Sequence, residues 1–334
     1  MKLDSADGHM AALVCERYGP PDVLKFAELP RPSPGKEQFL VRVLASTITS
    51  GDRRVRSMDM PQGFGTLGRL ALGWHGPRQA VLGAEFAGVV EAAGARAKGF
   101  APGDAVFGIR GFRMGGHAEY LCMSAGDAMA HKPEHLSFEG AAALSFGGGT
   151  ALFFLRRAAL LAGEKVLING ASGGVGMPAV QLACIMGAEV TGVCSAAHLD
   201  QVRLLGAARV IDYGQEDFTL LAPQFDVVFD VACNQSVERC LSVLKPGGRL
   251  IRLQAGLTEM CRAMLQPVRK GRRVIVGTAE ERPDHLEYLG DLVRQGRFRP
   301  VIARVFPFED AIAAHRYADR SGHGGSVVIT MGAL

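Results

Sequence analysis

A buried strand that runs into a glycine-rich turn and then into a helix is the feature that most constrains this fold. The sequence Val166-Leu-Ile-Asn-Gly-Ala-Ser-Gly-Gly-Val-Gly176 has this form. In the register of the dinucleotide-binding fingerprint it is Ala171-x-Gly173-x-x-Gly176, with Ala in place of the first Gly. Gly173 would let the backbone approach a pyrophosphate, and Gly176 would let the helix pack closely on the strand. A glycine turn without a ligand is the plain alternative.

Strands and helices alternate along the chain around and after this turn. Strands are predicted at Val166–Ile168, Glu189–Val193, Arg209–Ile211, Asp226–Val231, Arg249–Leu253 and Val274–Val276, and helices at Gly174–Met186, Leu199–Leu205 and Gln235–Leu244. Pro246-Gly247-Gly248 is predicted to turn the chain out of the third helix. This alternation is typical of a doubly wound parallel sheet, so the fold class is α/β.

The first third of the chain and its tail have a different pattern of predicted secondary structure. Short β runs at Phe39–Ala45, Glu85–Ala92 and Ala105–Gly108, separated by glycine turns, predict an antiparallel β-rich domain. The tail from Pro283 predicts a helix, a second helix at Glu309–Tyr317 and a final strand at Ser326–Thr330. Met58–Arg78 is irregular and contains the only Trp of the sequence. Two interpretations remain open: the segment forms a lid or a loop of the substrate pocket, or it is a surface loop that covers apolar core.

Composition limits the class of protein further. Of the 334 residues, 48% are hydrophobic and 21% charged, which excludes a wholly disordered chain. The net charge of +4 is too weak to indicate a nucleic-acid partner. The longest uncharged run, Val166–Ala188, contains five Gly and a Pro and is a poor membrane span, and the polar start Met1–Met10 predicts no signal peptide. Seven cysteines without a C-x-x-C pair favour reduced thiols and a cytoplasmic location.

Several motifs together resemble the medium-chain dehydrogenase/reductase superfamily, in its zinc-independent quinone-oxidoreductase-like branch. Besides the glycine turn they are Leu82–Val90, Pro102–Phe107, Ala118–Tyr120, Ala141–Leu144, Leu205–Tyr213 and Lys245–Gly248. The resemblance covers Ala11–Thr330. It implies a GroES-like β-rich catalytic domain at 11–128 and 280–334, a Rossmann domain at 129–279, and an active site in the cleft between them. It also implies a homodimer formed through the last Rossmann strand, near Val274–Val276.

The resemblance implies NADPH as the cofactor. The residues expected to bind it are Ser172, Gly173, Gly174 and Val175 at the pyrophosphate, Ser195, His198 and Tyr213 at the 2′-phosphate, and Thr150 at the nicotinamide end. The second strand supports this choice, because an NAD site usually carries an acid about 20 residues after the turn. This chain has Ser195, 22 positions after Gly173. An ordinary loop serine is the alternative.

Three positions depart from the pattern of related NADPH enzymes. Relatives often carry Lys at His198, Gly at Cys233 and Arg at Gly324. An imidazole binds phosphate well only while it is protonated, so phosphate binding by His198 would weaken as the pH rises. These departures concern the strength of cofactor binding.

Zinc-dependent relatives carry a Cys, a His and a third ligand at positions that correspond here to Thr49, Ala84 and the neighbourhood of Phe146. These side chains do not form a zinc site. Hydride transfer without a Lewis acid favours acceptors that are already activated, so we expect a small electrophile, a quinone or an α,β-unsaturated carbonyl compound.

Candidate catalytic groups lie in the segment that would carry the first zinc ligand. Thr49 and Ser50 would donate hydrogen bonds to the substrate oxygen as it gains negative charge, and Asp52 would orient them or relay a proton. The structural alternative for Asp52 is a salt bridge with one of three arginines that we otherwise expect on a solvated face, Arg53, Arg54 and Arg56. Three other functions stay open: a dedicated biosynthetic enoyl reductase, a redox-silent family member, and an NADPH-binding interaction protein without turnover.

Overall fold

The computed structural model describes residues 8–124, 126–265, 268–269, 271–320 and 322–332. The chain divides into two compact units. The first comprises the chain up to Met60, Gly65–Gly149 and the chain from Glu281 onwards; the second comprises Pro61–Phe64 and Thr150–Glu280.

The strands of the described residues are β1 (His9–Cys15), β2 (Leu24–Pro30), β3 (Gln38–Ile48), β4 (Glu85–Ala93), β5 (Ala105–Ile109), β6 (Tyr120–Ser124), β7 (Met129–His131), β8 (Lys165–Asn169), β9 (Glu189–Cys194), β10 (Arg209–Asp212), β11 (Phe225–Asp230), β12 (Leu244–Arg252), β13 (Val268–Arg269), β14 (Arg272–Val276), β15 (Ile302–Pro307) and β16 (Ser326–Thr330).

The α-helices in the same residues are α1 (Ser50–Ser57), α2 (Gly65–Leu72), α3 (Phe138–Ala142), α4 (Ser145–Arg157), α5 (Gly176–Ile185), α6 (Leu199–Leu204), α7 (Val237–Ser242), α8 (Leu257–Leu265), α9 (Pro283–Arg294) and α10 (Ala311–Ala318). By length and composition one helical stretch of the described residues, Phe138–Arg157, could cross a membrane, but 67% of its apolar 18-residue window is buried inside the protein.

The first unit is built around an antiparallel sheet, as predicted. Its strands follow the order β15-β16-β3-β4-β5-β7, and β6 pairs with β3. The exception to the antiparallel pattern is the parallel pair β15–β16 of the C-terminal tail, and the antiparallel pairing of β16 with β3 joins this tail to the sheet. The core includes Phe39, Phe86 and Leu13, which are completely buried. β1 and β2 form a separate antiparallel pair.

The second unit contains the predicted parallel sheet, in the order β10-β9-β8-β11-β12-β14-β13. Its pairings are parallel up to β14, and the short β13 is antiparallel to β14. β8 lies inside the sheet, and its run Val166–Ile168 is fully buried, which explains its continuous apolar sequence. The GroES-like and Rossmann-like classes predicted from the sequence are therefore confirmed.

The boundary between the units differs from the expected one at 128/129. The first unit continues to Gly149. The reason is that β7 pairs with β5, and α3 packs on β3 and β4, so residues 129–149 belong to the β-rich core. The chain returns to the first unit at Glu281, one residue after the expected position.

Two segments differ from their predicted local structure. Met58–Arg78 is not wholly irregular, because it contains α2, and its Trp74 is 55% exposed. Pro246-Gly247-Gly248 lies inside β12, whereas the sequence predicted that it forms the turn after the preceding helix. The pairing of β11 with β12 shifts register between Phe225 and Val227, and this irregularity accommodates the three residues.

Candidate functional site

The glycine-rich turn joins β8 to α5. Gly170 has φ +84°, so the residue that needs Gly for its backbone conformation comes just before the predicted fingerprint. The amides of Gly170 and Ala171 both donate to the carbonyl of Val193, at 3.0 and 2.9 Å, and hold the turn against β9. A Cβ on Gly176 would lie 2.0 Å from the carbonyl oxygen of Gly170. The turn is therefore as closely packed as the sequence predicted.

The start of α5 has the properties of an anion site. Gly174 is exposed, and a Cβ built on it would meet no atom within 4 Å. The N-cap residue Val175 makes no side-chain hydrogen bond to the first turn. The first amides of a helix lack partners within the helix and carry partial positive charge. The Gly173 amide already donates to the carbonyl of Gly170 at 3.0 Å, so the part of the turn that fits the pyrophosphate of a dinucleotide is the backbone of Gly174 and Val175, where a Cβ at Gly174 has open space.

The ends of β9 and β10 bring two of the predicted cofactor residues together. Cys194 and Asp212 are opposite each other in the parallel pairing, and the amide of Tyr213 donates to the carbonyl of Cys194 at 3.1 Å. Ser195 and Tyr213, the next residues, thus leave the sheet side by side. Ser195 is half-buried and Tyr213 is 63% exposed, so both residues are accessible to solvent at this edge of the sheet.

One acid at this edge was missed by the sequence reasoning. Asp212 lies beside Cys194, whose thiol pKa is raised to about 11 by burial and further by the Asp212 carboxylate. Oδ1 of Asp212 accepts a hydrogen bond from the amide of Gly214 at 2.9 Å. One carboxylate oxygen is therefore engaged in the turn that follows β10. In the sequence, the available signal was that Asp212 directly follows the predicted strand Arg209–Ile211.

The other cofactor positions lie in the same unit. His198 is half-buried, and its amide donates to the carbonyl of Ser195 at 3.0 Å, so the two residues share one turn. Thr150 is half-buried within α4. Cys233 has φ +52°, a conformation that favours Gly, which is the residue that the resemblance leads us to expect at this position. Burial raises the pKa of the Cys233 thiol, so it is a thiol at neutral pH.

In the first unit, Thr49, Ser50 and Asp52 lie together at the start of α1. Oγ1 of Thr49 accepts hydrogen bonds from the amides of Gly51 and Asp52 and donates to Oδ2 of Asp52 at 2.6 Å. Oδ2 also accepts from the amide of Thr49 at 2.7 Å, which completes a capping box. Thr49 has one hydroxyl proton, and it is donated to Asp52. Ser50 is exposed.

Asp52 also binds a second segment of chain. Its Oδ1 accepts a hydrogen bond from the amide of Gly83 at 2.7 Å, and the side chain is completely buried. In place of the salt bridge considered above, this carboxylate binds two backbone amides and one hydroxyl.

Glu85 is a buried acid that the sequence reasoning did not single out. It is 3% exposed, and its carboxyl group accepts hydrogen bonds from Oγ1 of Thr47 and from the amide of Phe146 near the start of α4. Burial raises the pKa of Glu85 to about 8, although these hydrogen bonds oppose the rise. The sequence feature that could have identified Glu85 is its position as the one acid at the start of the predicted strand Glu85–Ala92, directly before an apolar run.

Hydrogen bonds join the segments that hold Thr49, Ala84 and Phe146, the positions that the resemblance assigns to zinc ligands. Thr49 binds Asp52, Asp52 binds Gly83, which precedes Ala84, and Glu85 binds the amide of Phe146. A hydroxyl, a methyl group and an aromatic ring occupy the three positions. In the part of the chain that the structure describes, no group of three or more His, Cys, Asp and Glu side chains is arranged to hold a metal ion.

Arg56 is not on a solvated face, contrary to expectation. It is 1% exposed, and its guanidinium pairs with Asp319 at 2.6 Å and lies 3.0 Å from Nδ1 of His315. A guanidinium only donates, so Nδ1 of His315 accepts and the imidazole is neutral. Burial, with His117 and Arg56 nearby, lowers the pKa of His315 well below its usual value. Arg56 thus joins α1 to the C-terminal helix α10.

Comparison with known proteins agrees with this geometry. Residues 35–134 match the family model described as alcohol dehydrogenase GroES-like domain, and residues 205–329 match the one described as zinc-binding dehydrogenase. The chain is 31% identical to 2-methylene-furan-3-one reductase of Solanum lycopersicum, over 97% of this chain and 80% of that protein. It is 31% identical to quinone oxidoreductase of Sus scrofa, over 92% of this chain and 93% of that one.

A solved structure gives the same result. The quinone oxidoreductase from Coxiella burnetii superposes with a TM-score of 0.86 at 31% identity, covering 97% of this chain and all of that one.

Proposed function

Since the chain belongs to the medium-chain dehydrogenase/reductase superfamily, in its quinone-oxidoreductase-like branch, we propose that it transfers hydride from NADPH to a quinone or an α,β-unsaturated carbonyl compound without zinc. Its broader class is that of its relatives, an NAD(P)H-dependent oxidoreductase acting on small molecules. Relatives named as quinone oxidoreductases and as a furanone reductase support both acceptor types.

The observation that carries the choice of NADPH is the paired edge of β9 and β10. Two residues that carry hydroxyl groups, Ser195 and Tyr213, follow these two paired strands. A carboxylate at Ser195 would accept hydrogen bonds from the two ribose hydroxyls of NADH and would repel a 2′-phosphate. A hydroxyl donates to the phosphate without that repulsion, and a protonated His198 in the same turn would add to the attraction.

On the acceptor side, bound NADPH would supply the hydride and the protein would stabilise the charge that develops on the acceptor oxygen. Ser50 is the hydroxyl that we propose as donor, because the proton of Thr49 is already donated to Asp52. Thr49 and Asp52 would then orient Ser50 by fixing the first turn of α1. Thr49, Ala84 and Phe146 offer no zinc-binding side chain, which supports a zinc-free reaction and an activated acceptor.

Steady-state kinetics with both cofactors and a panel of acceptors tests the proposal. The panel contains quinones, enones, enals, enoyl thioesters and simple ketones, each with protein dialysed against a chelator. We expect kcat/KM to be higher with NADPH than with NADH, turnover of quinones or enones, and no loss after dialysis. A preference for NADH, zinc-dependent turnover of simple ketones, or no turnover at all would refute it. Turnover of enoyl thioesters alone would indicate a biosynthetic enoyl reductase.

We also propose that the protein is a cytoplasmic homodimer that associates near Val274–Val276. The support is the resemblance to its family and the composition of the chain. Sedimentation equilibrium should give twice the chain mass of 35.5 kDa. A monomer at micromolar concentration would refute the dimer.

A further inference from the structure

Two segments of the first unit, 47–52 and 83–85, hold each other through two carboxyl groups. Asp52 of the first segment accepts from the amide of Gly83 in the second. Glu85 of the second segment accepts from the hydroxyl of Thr47 in the first. We call this pair of hydrogen bonds the double clasp. Thr47, Asp52 and Glu85 are all at least 97% buried, so water does not replace either bond in the folded protein.

Glu85 extends the clasp to a third element. Its second carboxyl oxygen accepts from the amide of Phe146 in the first turn of α4. One side chain thus connects β3 through Thr47, its own strand β4, and α4. Removing it would leave the Thr47 hydroxyl and the Phe146 amide unpaired in a buried environment, which is costly.

We propose that Glu85 is a positioning residue for the reaction: its carboxyl group fixes the segment from Thr47 to Asp52, and therefore the hydroxyl of Ser50, relative to β4 and α4. This inference rests on the proposed function, in which Ser50 faces the acceptor oxygen. A donor acts on a transition state only when it is held in place beforehand, and small displacements of such groups cost large factors in rate.

The groups around Glu85 determine whether its neutral acid or its carboxylate fixes this segment. Its carboxyl group faces the Thr47 hydroxyl on β3, the amides of Ser145 and Phe146 on α4, and the negative charge of Asp52 on α1. Burial, together with Asp52, keeps the pKa near 8, so the acid is largely neutral at pH 6 to 7. Glutamine has nearly the same shape as a neutral glutamic acid: its carbonyl oxygen can accept from the Phe146 amide, and its NH2 group can donate to Oγ1 of Thr47, as the OH of the neutral acid can. Glu85→Gln is therefore the conservative replacement and Glu85→Ala the disruptive one.

The test measures kcat, the KM of the acceptor and the NADPH dissociation constant of both variants at pH 6.5. We expect Glu85→Ala to lower kcat about tenfold or more, with NADPH affinity unchanged within about twofold, because the cofactor residues lie in the other unit. Glu85→Gln should stay within about threefold of the wild-type kcat. An alanine variant with wild-type kcat, or a glutamine variant as slow as the alanine variant, would overturn the proposal.

A double-mutant cycle separates positioning from general loss of packing. Thr47→Val removes the hydroxyl that binds the Glu85 carboxyl group, so its effect on kcat should be absent once Glu85 is Ala. Ser46→Ala is the matched control, because the buried Ser46 hydroxyl binds the main-chain carbonyl of Glu85 at 2.7 Å and not its side chain. Its effect should add to that of Glu85→Ala. Additive behaviour of Thr47→Val would contradict the clasp.

Hydrogen exchange makes the inference testable apart from turnover. Amides of 49–57 should exchange faster in Glu85→Ala than in wild type or in Ser46→Ala, since the start of α1 loses its anchor. If no acceptor is turned over by the wild type, the proposed function fails while this measurement still decides whether Glu85 positions the segment. Unchanged exchange in these amides would overturn the positioning role.

Discussion

The carboxylate of Asp52 accepts a hydrogen bond from the amide of Gly83 at 2.7 Å, although the two residues are 31 positions apart in the chain. The same side chain caps α1 through Thr49. Asp52→Ala should therefore lower the free energy of unfolding by about 2–3 kcal/mol, because a buried amide and the helix start lose their acceptor. Urea denaturation measures this loss, and Asp59→Ala, at an exposed acid just after α1, is the control. Equal stability of wild type and Asp52→Ala would show that the carboxylate is not structural.

Stability should fall with rising pH because of Glu85. Its pKa is raised by burial from an ordinary value of 4.5 to about 8. The folded state therefore holds the proton between these pH values while the unfolded state has released it, so the free energy of unfolding decreases as pH rises from about 4.5 to 8. Glu85→Gln should remove this contribution. Urea unfolding at pH 5.5 and 8.5 compares the variant with Glu91→Gln, at an exposed position of the same strand. Identical pH dependence in the three proteins would contradict the assignment.

Gly174 and Gly176 should respond in opposite ways to a side chain. A Cβ at Gly174 meets no protein atom within 4 Å, so Gly174→Val should fold normally and fill the space needed by the cofactor. A Cβ at Gly176 would overlap the Gly170 carbonyl at 2.0 Å, so Gly176→Ala should lower the melting temperature. Calorimetric titration with NADPH and a thermal melt of each variant give both readouts. Wild-type NADPH affinity in folded Gly174→Val would argue against a pyrophosphate at this turn.

Ser195 should control the choice between the two cofactors. A hydrogen bond to a charged group contributes about 1.5–3 kcal/mol, so Ser195→Ala should weaken NADPH binding roughly tenfold to a hundredfold. Ser195→Asp should weaken it more and improve the use of NADH. The exposed neighbour Ala196 provides the control, since Ala196→Asp adds the same charge one residue later. The ratio of kcat/KM for the two cofactors is the measurement, and a ratio that Ser195→Asp leaves unchanged would contradict the role of Ser195.

Arg56 should be essential for the stability of the first unit. Arg56→Ala leaves His315 buried without its donor and removes the partner of Asp319, which is 30% exposed. We expect a loss of about 3 kcal/mol, compared with about 0.5 kcal/mol or less for Arg53→Ala on the same helix. Thermal and urea unfolding of the two variants compare them directly. Equal losses would mean that the buried ion pair of Arg56 contributes no more than the half-buried Arg53.

The second unit was largely predictable from the sequence, because its signals are local. Apolar runs at β8 and β11, with glycine turns and helices between them, fix the period and the order of the elements. The close packing at Gly176 follows from the same signals, since strand, turn and helix lie within a few residues of one another. The fold class and the place of the candidate cofactor loop required no knowledge of distant contacts.

The candidate site of the first unit was predictable only in part. The sequence identified Thr49, Ser50 and Asp52 as a group, because they are neighbours in the chain. It did not identify Glu85, whose partners Thr47 and Phe146 are 38 and 61 positions away. It placed Arg56 on the surface, because three arginines close together in the chain usually face water.

The sequence by itself determined the periodicity of the elements and the conformational needs of the glycine turn, since both depend on backbone geometry over a few residues. Tertiary structure decided the rest. It placed residues 129–149 with the β-rich unit through the pairing of β7 with β5. It also buried Arg56 and Glu85 by bringing distant polar partners to them. A polar side chain is stable in a core only where such partners exist, and which residues meet there is set by the whole chain.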